Sequence, residues 1–123
     1  FLLSLKKSTA GVRNLLRSQT TEFVVVTAAE RLVIEETKDL VSQLTLFGIP
    51  VRRLIVNKLF PDLGSNFSKI RREQEQRLLK EFHSAFSELE IWEIYLQSIE
   101  PQGVENLRRF ASVLYNHNAA GSR

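Results

Sequence analysis

The sequence predicts an α/β fold, a three-stranded parallel sheet flanked by helices in the order α-β-α-β-α-β-α. Three observations carry this. Two short runs, Phe23-Val24-Val25-Val26-Thr27 and Arg53-Leu54-Ile55-Val56-Asn57, are rich in β-branched residues and lack polar alternation. Such runs suit strands covered on both faces, as in a parallel sheet. Around them lie longer segments with apolar residues at helical spacing. The connections are short, and strand, helix, strand with tight loops is the unit from which parallel sheets are built.

The elements follow in order. Residues 2–17 place Leu2, Leu5, Val12 and Leu16 at helical spacing, although Gly11 weakens the helix. The first strand covers 23–27. A helix over 30–47 carries Val33, Thr37, Leu40, Leu44 and Phe47 on one stripe. Gly48 in the left-handed region and then Pro50 end it. The second strand covers 53–57. Pro61, Asp62, Gly64, Ser65 and Asn66 make a loop in which Ser65 or Asn66 can cap a helix running to about Phe86. Phe67, Ile70, Leu78, Phe82 and Phe86 are its expected buried side, and its polar middle is expected to lie clear of the body. Glu90 to Leu96 is the third strand, Glu100-Pro101-Gln102-Gly103 breaks the chain, and Val104, Leu107, Phe110, Ala111 and Leu114 face one way on the last helix. The expected organisation is a helix over 1–18, an α/β unit over 19–116 and a flexible tail over 117–123.

Composition narrows the classes. Hydrophobic residues are 43% and charged residues 25% of 123, which is ordinary for a globular domain and excludes a disordered or collagen-like chain. There is no cysteine, so thiol nucleophiles, disulfides and Cys-based zinc sites are excluded, and a reducing cytoplasm is the expected setting. No apolar run is long enough to span a bilayer. The sequence has no methionine and residue 1 is Phe, so the chain is expected to be processed or part of a longer protein. Residues 51–83 hold eight bases and four acids, among them Arg52, Arg53, Lys58, Lys69, Arg71 and Arg72. Alternating signs over 71–77 favour a solvated helix face over a nucleic-acid surface, and no interleaved aromatics offer a base-stacking platform.

Open parallel sheets bind ligands beyond the carboxyl ends of their strands. Those ends are Thr27-Ala28-Ala29-Glu30, Asn57-Lys58-Leu59 and Leu96-Gln97-Ser98. Asn57 stands out, because a carboxamide carries one acceptor and two donors and can match the edge of an adenine. From its residue type alone it can equally cap a loop. His83 and His117 have no second ligand at metal spacing, and no metal site is expected. None of the five glycines is followed by Lys, so no phosphate-binding loop is present, and no catalytic constellation is complete.

The ordered set of motifs resembles the ArsA-type anion-transporting ATPases. Thr21-Glu22-Phe23-Val24-Val25-Val26, Glu30-Arg31-Leu32 and Glu36-Thr37 are similar to the family's strand and following helix. Ile55-Val56-Asn57-Lys58-Leu59 looks like its strand ending in V-N. Arg71 to Arg77 is similar to the Arg- and Gln-bearing helix, and Glu100-Pro101-Gln102-Gly103 with Leu107 to Phe110 is similar to the closing segment. The family usually has Pro where Ala29 and Tyr95 stand here.

The resemblance implies the C-terminal half of a dimerising P-loop ATPase of the deviant Walker type. The phosphate loop, switch residues and catalytic Asp then belong to an N-terminal half that this chain lacks. The family's adenine-contacting Asn falls on Asn57, and its post-strand loop on Leu96, Gln97 and Ser98. ATP with Mg is the implied cofactor of the intact protein, while none is firmly implied for this chain alone. The implied partners are the N-terminal half, a second copy in a homodimer, and a membrane protein or hydrophobic client. Helices ahead of the first strand belong in the family to a client-handling helical subdomain, so residues 1–17 are read either as its end or as a helix packed on the sheet. The Cys-x-x-Cys zinc pair that joins the dimer of the targeting branch is absent. The alternative function is a non-catalytic α/β interaction module that self-associates or binds a protein through the Phe-rich third helix.

Overall fold

The computed structural model describes residues 2–121, with side chains described through 116. The expected tail and His117 fall outside the residues whose side chains are described. The elements run α1 (Leu2–Arg17), β1 (Phe23–Ala28), α2 (Arg31–Leu46), β2 (Val51–Leu59), α3 (Asn66–Ala85), β3 (Glu90–Tyr95) and α4 (Gly103–Gly121). The three strands form one parallel sheet in the order β1-β2-β3. The architecture is the α/β fold expected from the sequence. Among the described residues no helix is long and apolar enough to cross a membrane.

The two faces of the sheet differ. Val25, Leu54, Val56 and Leu59 point to the side covered by α2 and α3, where they meet Ile34, Leu79, Phe82 and Phe86. Leu54, Val56, Ile34 and Phe82 are completely inaccessible to solvent, and burying a side chain of this size contributes about 1.5–3 kcal/mol. On the opposite face α4 packs against β3 and buries Ile94. Val24 and Val26 on β1 stay exposed there, Val26 at 62%. The exposed apolar strand residues lie on β1, because β2 is central and its Leu54 and Val56 are enclosed.

Helix ends follow local chemistry. Ser65 caps α3, its hydroxyl accepting from the Ser68 N–H at 3.1 Å. At the end of α2 the Gly48 N–H donates to Thr45 O (3.0 Å) and the Ile49 N–H to Leu44 O (2.9 Å). That pair of bonds is a Schellman motif, and it requires the left-handed φ of 73° that Gly48 adopts. Arg17 closes the same corner, its Nε donating to Phe47 O at 2.8 Å.

Three helix faces depart from the sequence expectation. On α2 the inward residues are Ile34, Thr37, Val41 and Leu44, while Leu40 and Phe47 are exposed. On α3 Phe67 and Ile70 are exposed, and Ser68, Glu75, Leu79 and Phe82 are buried. The polar middle of α3 does not stand clear of the body, because Glu75 reaches in and accepts from the Phe60 N–H at 2.7 Å. Helix α1 buries no residue, and its Val12 and Leu16 line a cleft with Phe47 and Ile49.

Candidate functional site

The carboxyl ends of β1, β2 and β3 come together at one edge of the sheet, as parallel strands require. Asn57 lies there on the central strand, paired in register with Ala28 of β1. Its side chain is half-buried and makes no hydrogen bond among the described residues. An amide with two donors and one acceptor left unused at a strand end is available to a ligand. The loop after β3 is joined to the same edge, where the Leu96 N–H donates to Leu59 O at 2.7 Å. Gln97 turns its amide back to donate to Tyr95 O at 2.8 Å. Gln97 and Ser98 line a cleft of about 190 Å³ against Asn106, Arg109 and Phe110 of α4. Asn57 and the 96–98 loop thus share an edge, but Asn57 is not part of that cleft.

The strand ends are held by buried polar contacts. Thr27 and Thr37 hydroxyls lie 2.7 Å apart, both enclosed. Thr37 donates its proton to Val33 O at 2.7 Å, so Thr27 is the donor between the two hydroxyls. This ties α2 to the end of β1. Glu75 does the same for β2, holding the Phe60 N–H just beyond the strand. Farther out, Glu81 of α3 accepts from Arg31 (2.6 Å) and Lys38 (3.2 Å) of α2. The hydrogen bond from Arg31, then that from Lys38, holds the Glu81 carboxyl below its ordinary value. Lys38 is raised in turn by Glu81 and then Glu35.

The amino end of the sheet has a different character. Arg53 stacks on the Trp92 ring at 4.5 Å and pairs with Glu22 (3.6 Å) and Glu90 (3.4 Å). The Trp92 indole N–H donates to Glu90 at 2.9 Å, and that bond leads in lowering the Glu90 pKa. This group joins all three strands. It also takes one base out of the positive segment over 51–83, and Arg72, paired with Asp62 at 3.2 Å, is another. A cleft of about 640 Å³ runs along α3 between Lys69, Arg72, Gln76 and Asp62 and mixes both signs, so it makes no continuous positive track. Among the described residues no three His, Cys, Asp or Glu side chains gather to hold a metal ion.

Sequence reasoning placed Asn57 and Leu96 to Ser98 at strand ends. It missed the Thr27–Thr37 pair and the inward turn of Glu75. The only available signal for the first was a polar residue inside each apolar pattern.

A family model described as anion-transporting ATPase matches residues 3–116. The chain is 40% identical over 93 residues to the putative arsenical pump-driving ATPase 2 of Aquifex aeolicus, a match covering 75% of this chain and 31% of that protein. It is 34% identical over 119 residues to the ATPase GET3B of Arabidopsis thaliana, covering 93% of this chain and 29% of that protein. The ATPase GET3C of the same plant is 34% identical over 116 residues, with 90% and 30% covered. The chain spans about a third of the length of these curated relatives.

Proposed function

Because the chain belongs to the anion-transporting ATPase family, we propose that it is the adenine-side, nucleotide-binding part of an ATPase whose ATP-driven dimer cycle serves anion transport or protein targeting. The observation that supports this best is the unused amide of Asn57 at the carboxyl end of the central strand. Its carbonyl oxygen accepts from the exocyclic amine of adenine and its NH2 donates to a ring nitrogen. The loop of Leu96, Gln97 and Ser98 flanks the base from the neighbouring strand.

The donor set fits a base and not a triphosphate, since no Gly-rich phosphate loop exists in these residues. ATP, when bound, supplies the phosphoanhydride bond whose cleavage drives the dimer cycle. This chain's own residues bind and orient the base, and the phosphates, Mg and attacking water are assigned to the N-terminal half. Helix α1, with Leu2, Leu3, Leu5, Val12 and Leu15 exposed, is assigned to the end of a helical subdomain for a hydrophobic client.

Amide NMR with added ADP tests the reading. Shifts are expected at 57–59 and 95–98, and Asn57→Ala should weaken binding by about five- to a hundredfold, the worth of a bidentate amide contact of roughly 1–3 kcal/mol. Shifts confined to other surfaces, or an unaffected Asn57→Ala variant, would refute it. One observation favours the interaction-module alternative: Leu63, Phe67 and Ile70 are exposed together near Phe60 at the start of α3. That reading requires concentration-dependent association, lost in Phe67→Glu and visible by sedimentation velocity.

A further inference from the structure

Lys58 is the one described non-glycine residue with positive φ, at 59°. A left-handed conformation is costly for a side chain with a Cβ, and such strain persists where the surroundings impose it, often at ligand clamps. The cause lies in the ladder. Strands β2 and β3 pair regularly to Val56↔Glu93 and resume at Leu59↔Tyr95. Over that interval β2 spends two residues, Asn57 and Lys58, where β3 spends one, Ile94. The extra residue is a bulge.

The bulge changes which side chains face the core. With strict alternation Val56 and Leu59 would point to opposite faces. Both instead enter the core under α2 and α3. Asn57 and Lys58 are therefore both kept out of that core, and Lys58 is exposed. Its ammonium makes no ion pair among the described residues. The insertion thus places a carboxamide and a long aliphatic stem next to each other at the carboxyl end of the central strand.

We propose that Lys58 is a second contact to the nucleotide, its aliphatic stem lying against the face of the adenine whose edge Asn57 reads. The proposal rests on the nucleotide reading above. The bulge leaves Asn57 and Lys58 adjacent and both outside the core, so the lysine stem lies within reach of a ring whose edge the amide meets, at the roughly 3.5–4.0 Å at which carbon atoms pack. Lysine suits the position because its methylenes cover apolar surface while the ammonium stays in water.

The test is adenosine binding to the 123-residue chain, followed by amide NMR, with ADP alongside. Lys58→Ala should weaken adenosine binding about four- to fifteenfold, as loss of one or two buried methylenes implies. Lys58→Met, which keeps the stem and loses the charge, should restore it. Lys58→Gly should bind as weakly as Lys58→Ala yet melt at a higher temperature than the parent, because glycine accepts the left-handed conformation. A Lys58→Met variant as weak as Lys58→Ala would overturn the stem contact. Binding that is unchanged in Lys58→Ala but weakened in Asn57→Ala would remove Lys58 and leave the nucleotide reading standing. A parent chain that binds neither adenosine nor ADP at millimolar concentration would end both.

Discussion

The hydroxyl pair between Thr27 and Thr37 gives the sharpest test of how α2 is fastened to the strand ends. Both side chains are enclosed, at 6% and 5% exposure. The proton of Thr37 is committed to Val33 O, so Thr27 donates and Thr37 accepts. The two single replacements are therefore not equivalent. Thr37→Val removes the acceptor and leaves the Thr27 hydroxyl buried without a partner, a cost of about 1–3 kcal/mol. Thr27→Val removes the donor but leaves Thr37 bonded to Val33 O, and valine suits a strand, so the cost is about 0.5–1 kcal/mol. The double variant leaves no orphan and should lie close to Thr27→Val, giving a coupling of roughly 1–3 kcal/mol. Urea unfolding followed by circular dichroism reads this directly. With a slope of about 1–2 kcal/mol per molar, Thr37→Val lowers the midpoint by about 1 M. Equal losses in the two single variants, or a double variant equal to their sum, would refute the donor assignment.

Other consequences can be measured in the same way. Glu81 is held below its ordinary value of 4.5 by Arg31 and then Lys38. A depressed carboxyl contributes stability that is present above 4.5 and lost as pH falls through its folded value. The stability deficit of Glu81→Gln should therefore be full at pH 6–8 and shrink as pH falls below 4.5. Lys38 is raised above 10.5, so its contribution is complete below that pH and fades only above it. Ser65→Ala removes the cap of α3 and should cost about 1 kcal/mol in thermal or urea unfolding. Trp92 is the single tryptophan and stacks on Arg53, so Arg53→Ala should shift its emission to longer wavelength and destabilise the sheet by about 0.5–1 kcal/mol. An unchanged spectrum would show that the stack is not occupied in solution.

All seven elements were legible because their patterns are local: β-branched runs, helical stripes, Gly48 and Pro50 at one helix end and Ser65 at another. The phase of the stripes was less legible, since burial is decided by what lies opposite. Phe67 and Ile70 are apolar yet exposed, while Glu75 is charged yet enclosed because a backbone N–H at Phe60 awaits it. Reading hydrophobicity alone reverses both. The position of Asn57 followed from strand order, which the alternation of elements implies. The left-handed Lys58 could not be foreseen, because its conformation comes from a register mismatch with β3 and lysine has no intrinsic preference for it.

The two ends of the sheet differ. At the amino end Arg53 joins Glu22, Glu90 and Trp92, although the β1–β2 register shifts there between Phe23 and Val24 and the buried Arg53 Nε has no hydrogen-bond partner among the described residues. At the carboxyl end the ladder is interrupted, Lys58 is strained, and the Asn57 amide is unused. A sheet selected for stability alone would have continued its register and bonded that amide, because such changes commonly add about 0.5–2 kcal/mol. The left-handed Lys58 and the unused Asn57 amide, at the end where parallel sheets bind ligands, fit a site there. Closing the bulge by deleting Lys58 should therefore stabilise the β2–β3 pairing, and Leu59, then two residues beyond Val56, keeps its place in the core. The deletion variant is expected to unfold at a higher urea concentration than the parent. A deletion variant less stable than the parent would show that the bulge is needed for packing.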